Sequence, residues 1–170
     1  MRIKIVYFES ELEGECVMEL LGSLDKFIYD IEYDKVKIYL NSPGGDLCYM
    51  NMLLDYVNHN KEKIDLVING EVSSSVAHLC MVYQGRVSVL YGSCMMAHLP
   101  AHPGSRGINE KGTLNNFYHK DLESCKDDWL IVYNGLLTDK EITKMSKGYD
   151  VYIGYLRLVD FFISKENNNE

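Results

Sequence analysis

Asn69-Gly70-Glu71-Val72-Ser73-Ser74-Ser75-Val76-Ala77-His78-Leu79-Cys80 decides how this chain is read. It follows the apolar run 64–68, breaks at a glycine and sets three serines where a helix should open. A strand that gives way to a helix there is a place to hold a nucleophile, because the first amides of a helix have no partner inside it. Two other stretches have the same character. Upstream, Asn41-Ser42-Pro43-Gly44-Gly45 closes the strand-like run 36–40, and downstream, Met95-Met96-Ala97-His98-Leu99-Pro100 puts a histidine at the end of a third such run.

Outward from these motifs the chain alternates. Residues 3–8 read as a strand, and Ser10 with Glu13 matches the S-x-x-E pattern of a capping box, which opens a helix with Val17, Leu20, Leu21, Leu24, Phe27 and Ile28 on its apolar face. A second strand, 36–40, leads to a helix from Leu47, and a third strand, 64–68, is closed by Gly70. A helix is expected over 74–83 and two further strands over 86–91 and 94–98. Strand, helix, strand in this order implies parallel pairing, and hence an α/β fold whose strand ends share one rim. The segment 101–112 reads as loop. Apolar residues then recur at helical spacing across 113–137, which predicts a long amphipathic helix, and a short helix begins at Thr138 or Asp139. Residues 151–163 form an apolar end, and 165–170 a polar tail. One domain over 1–164 is expected.

With 170 residues, of which 46% are hydrophobic, the chain has enough apolar material for one sizeable core. Its net charge of -8, without a Lys/Arg-rich run, argues against nucleic acid and anionic membrane as partners. No apolar run approaches the roughly 20 residues a membrane helix needs, and the opening lacks a signal-peptide core, so the expected location is the cytoplasm. The five cysteines, Cys16, Cys48, Cys80, Cys94 and Cys125, read as buried free thiols, and none has zinc-ligand spacing. No metal or other cofactor is called for.

Taken together, the three motifs resemble those of the proteolytic subunits of the Clp protease. Asn41–Gly45 resembles the family's N-S-P-G-G turn, 70–77 its G-x-A-A-S-M-G-A nucleophile segment, and 96–100 its M-I-H-Q-P histidine segment. The likeness covers nearly the whole chain, and the separations fit as well: 29 residues from Gly45 to Ser74 and 24 from Ser74 to His98. It implies the spiral of ββα units shared with the crotonases, with 113–137 as a projecting handle helix. It also implies a serine endopeptidase in a ring or stacked rings of identical subunits, acting on peptide or unfolded protein. An ATPase unfoldase is a further partner of such rings; against it here counts the absence of the family's N-terminal segment before the first strand. Val76 departs from the family, which has glycine two places after its serine.

The resemblance puts the nucleophile at Ser74, the general base at His98, the acid at Asp150, and the oxyanion donors on the backbone N–H groups of Gly45 and Ser75. The chemistry suits these types: a serine hydroxyl attacks once an imidazole takes its proton, and preset amides stabilise the oxyanion. From the residues alone, Ser73 and Ser75 remain alternative nucleophiles, His102 an alternative base, and Asp128 or Asp139 an alternative acid. Leu47 and Met50 are open to two roles, substrate pocket or core. Two other functions stay open: a catalytically silent ring subunit, and an acyl-CoA enzyme of the crotonase type.

Overall fold

The computed structural model describes residues 1–100 and 127–167. They fall in two compact units, Met1–Ala97 with Tyr152–Glu170, and His98–Val151.

The first unit is an α/β sheet with its helices. β1 (Ile3–Phe8), β2 (Lys35–Ser42), β3 (Ile64–Ser73), β4 (Val87–Val89) and β5 (Cys94–Ala97) alternate with α1 (Gly14–Ile28), α2 (Leu47–His59) and α3 (Ser74–Val82). β6 (Val151–Gly154) and α6 (Tyr155–Asn167) resolve the apolar C-terminal run into a strand and a helix. The sheet order is β1-β2-β3-β5-β6, with β4 also on β3, and β1/β2, β2/β3, β3/β4 and β3/β5 are all parallel. Val36, Ile38 and Leu40 alternate inward along β2, while all of residues 64–68 on β3 are buried. That contrast marks β3 as the central strand, covered on both faces. Val17, Leu20, Leu24 and Ile28 form the buried stripe of α1, as their spacing requires. Each such buried side chain contributes about 1.5–3 kcal/mol.

Several details differ from the sequence reading. Gly70 does not end the third strand. β3 continues to Ser73, takes β4 along Leu66–Ile68 and β5 along Glu71–Ser73, and changes neighbour at Gly70. Gly70, with φ +118, bends the strand where Asn41 lies against it, a close approach that a Cβ would block. Between Leu40 and Ser42 the β2/β3 register slips, since Leu40 faces Ile68 while Ser42 faces Val72. The capping box at Ser10 and Glu13 does not form: α1 starts at Gly14 and its N-cap, Glu13, makes no side-chain cap. Residues 10–12 are instead committed to the Gly-Gly turn. The Ser42 hydroxyl donates to the Ser10 carbonyl at 2.5 Å, and Leu12, 1% exposed, pairs with Gly45.

Met50 is buried beside Leu53 and Val57 on α2, which makes it core, whereas Leu47 is half-buried. Of the described cysteines, Cys80 is buried, Cys16 and Cys94 are half-buried, and Cys48 is exposed, so burial holds for Cys80 alone; Cys125 lies outside the described residues. Lys165 is no tail residue. α6 carries it to Asn167, and its ammonium donates to the carbonyls of Met81 (2.7 Å) and Tyr83 (3.1 Å) at the end of α3.

In the second unit, residues 127–132 are helical (α4), and α5 is Asp139–Ser146. The expected handle helix falls on 113–126, outside the described residues, and on 127–137. Its last part ends early, because Tyr133, Asn134 and Leu136 bond three residues back and the chain turns. Leu136 and Leu137, both buried, lie past this turn. α5 begins as expected, with a capping box between Thr138 and Glu141.

Candidate active site

In the first unit the expected nucleophile segment and the Gly-Gly turn meet. β3 passes into α3 with no loop between them, and Ser74, first residue of the helix, has φ 56. It is the one non-glycine residue with positive φ among the described residues. An L-residue in that region is strained by about 1–2 kcal/mol, and such strain collects where function fixes the backbone. Ser74 thus stands on a sharp strand-to-helix bend, the geometry that lifts a side chain clear of its strand.

The turn lies against this bend. A Cβ on Gly44 (φ +102) would fall 2.7 Å from both the Ser73 carbonyl oxygen and the Ser74 Cβ, and 3.2 Å from the Ser75 nitrogen. On Gly45 (φ +143) it would strike the Leu12 backbone at 2.6 Å. Both positions need glycine for contact and conformation alike. Around them the backbone is tied down. Gly44 N–H donates to the Ser42 hydroxyl (3.3 Å), Leu12 N–H to the Gly44 carbonyl (2.7 Å), Asp46 N–H to the Leu12 carbonyl (2.9 Å), and the Ser75 hydroxyl to the Gly45 carbonyl (3.0 Å). Among the described residues the Gly45 N–H has no acceptor. Ser75 N–H belongs to the first turn of α3, which offers no carbonyl four residues back within the helix. Two backbone donors therefore sit at the bend that carries Ser74. Ser42 belongs to the Asn41–Gly45 motif itself, whereas Leu12, which also fixes the turn, carries no motif of its own, and only pairing across the chain reveals it.

The neighbours of the bend are apolar or engaged. Val76 is 1% exposed, so the helix accepts the larger residue at this position as core. His78, one turn after Ser74, is 9% exposed, and burial lowers its imidazole pKa to about 4. Burial and the Glu71 carboxylate both push the Cys94 thiol up.

In the second unit, His98 and Asp150 come together. His98 follows the last residue of β5, and its carbonyl accepts from the Trp129 indole at 2.8 Å. Its Nδ1 lies 3.3 Å from Asp150 Oδ1, with side-chain exposures of 12% and 40%. A carboxylate at Nδ1 favours the tautomer protonated there and leaves Nε2 as the basic nitrogen. Asp150 reaches this place two residues after Gly148 (φ +85), where the chain turns out of α5. Asp139 opens α5, and Asp128 is exposed on α4. His102, the alternative base, lies outside the described residues.

Among the described residues no three His, Cys, Asp or Glu side chains group as a metal site, and no helix is long and apolar enough to cross a membrane. A family model, Clp protease, matches residues 2–120. None of the curated proteins matches the chain.

Proposed function

The chain belongs to the Clp protease family, and from that membership we propose that it is a serine endopeptidase with Ser74 as nucleophile. The observation that carries the reading is the Ser74 bend. A serine is held at φ 56 against a turn that only glycines can form, with the Gly45 and Ser75 amides beside it.

On this reading the Ser74 hydroxyl attacks the scissile carbonyl carbon while His98 Nε2 takes its proton. The oxyanion is held by the Gly45 and Ser75 N–H groups, worth a factor of about 10²–10³ in rate for each donor. Asp150, at 3.3 Å from His98 Nδ1, steadies the imidazolium. His98 then returns the proton to the leaving amine, and water, deprotonated by the same nitrogen, releases the acyl group from Ser74. The substrate is peptide or unfolded protein, and the working form is a ring of identical subunits.

Three proteins test this: the intact chain, Ser74→Ala and His98→Ala, each treated with a fluorophosphonate and a fluorogenic peptide. The intact chain should be labelled at Ser74 and cleave the peptide. Ser74→Ala should do neither. A native particle of the intact chain that assembles but takes no label would instead identify a silent ring subunit.

A further inference from the structure

Ser73 is placed as the N-cap of α3, with φ -126 and ψ 154, yet its side chain makes no cap. This is unusual for a serine, whose hydroxyl oxygen readily accepts from the second or third amide of its helix; here those are Ser75 and Val76. The reason lies two residues back on the same face of β3. Ser73 Oγ donates to Glu71 Oε1 at 2.6 Å, a short, charge-assisted bond, at a serine only 2% exposed. A buried hydroxyl aimed at that carboxylate is turned away from its own helix.

We propose that Glu71 is a positioning residue that holds the Ser73 hydroxyl off the start of α3 and so keeps the Ser75 N–H available to the oxyanion. The inference rests on the protease reading for its catalytic half, while its structural half stands on the hydrogen bond alone. With Glu71 removed, Ser73 rotates and caps its helix, and a donor meant for the transition state is spent on the ground state. Loss of a carboxylate would therefore make α3 better capped and the enzyme slower.

The test uses the full chain with Glu71→Ala, Glu71→Gln, Ser73→Ala and the double variant Glu71→Ala/Ser73→Ala. Amide hydrogen exchange is read at Ser75 and Val76, and kcat and KM with a fluorogenic peptide. In Glu71→Ala, protection at these amides should rise about tenfold, and kcat should fall about 100-fold with KM nearly constant, the loss expected for one oxyanion donor. Glu71→Gln keeps an acceptor for Ser73 and should keep both readings. The double variant should recover exchange and kcat, and Ser73→Ala alone should stay near the intact chain. Unchanged protection in Glu71→Ala overturns the proposal, as does a double variant as slow as Glu71→Ala. Raised protection with unchanged kcat removes the positioning role. If the intact chain cleaves no peptide, the protease reading has failed, and the exchange pattern still decides whether Glu71 diverts Ser73.

Discussion

Gly44→Ala is the perturbation whose cost can be worked most directly from the site. At φ +102 an alanine is strained by about 1–3 kcal/mol. Its methyl would also stand 2.7 Å from the Ser74 Cβ and the Ser73 carbonyl oxygen, against a comfortable carbon separation of about 3.5–4.0 Å. The turn and the start of α3 must then part by about 1 Å, and overpacking of this kind costs about 1–3 kcal/mol more. The total, about 2–6 kcal/mol, is a large fraction of the 5–15 kcal/mol typical of a domain. Displacing the Gly45 and Ser75 donors by about 1 Å should lower kcat by about 100-fold. The assay pairs a thermal melt with peptide hydrolysis well below the transition, so that lost folding and lost geometry are read apart. Gly92→Ala is the control: φ there is +82 but nothing lies within 4 Å of the added carbon, so it should lose about 1–2 kcal/mol and keep its kcat. A Gly44→Ala chain with the melting point and kcat of the intact protein would refute the close packing of turn on bend.

Three further outcomes are expected. Ser74→Gly relieves the strain at φ 56 and should unfold at higher temperature, by about 1 kcal/mol of added stability, while losing fluorophosphonate labelling. His78, held neutral by burial with its pKa near 4, binds its proton more readily in the unfolded chain. Its contribution is complete above pH 6.5 and is lost as pH falls toward 4, a change of about 3 kcal/mol that urea titrations should show and that His78→Leu should flatten. Asp150→Asn removes the partner of His98 Nδ1 and should lower kcat at neutral pH by roughly 10³–10⁴-fold, without displacing the label from Ser74.

What the sequence disclosed follows from the range of the forces involved. Strands and helix faces were legible because burial repeats every two or every 3.6 residues, and β2, α1 and α2 lie where those periods put them. Local signals failed where a distant segment competed for the same groups. Ser10 and Glu13 carry the capping pattern, but residues 10–12 pair with the Gly-Gly turn, and this long-range pairing prevails. Gly70 reads as a terminator in the sequence because a glycine's backbone freedom serves a bend in a strand as well as its end. The apolar spacing alone carries the handle helix past Val132, but Tyr133, Asn134 and Leu136 bond to carbonyls three residues back and the chain turns there, a backbone choice that side-chain spacing does not encode. At the candidate site the residue types and their order were visible, and the strain was not. Nothing in the letters Ser-Ser-Ser tells which serine takes φ 56 or which one turns to Glu71. The approach of Asp150 to His98 spans 52 residues of chain and has no local signature.

The most direct test of the account locates the adduct on the intact protein. After fluorophosphonate treatment and proteolytic digestion, mass spectrometry should find the modified residue at Ser74, with the adduct gone in Ser74→Ala and formed far more slowly in His98→Ala. An adduct on Ser73 or Ser75, or one that persists undiminished in Ser74→Ala, would contradict it.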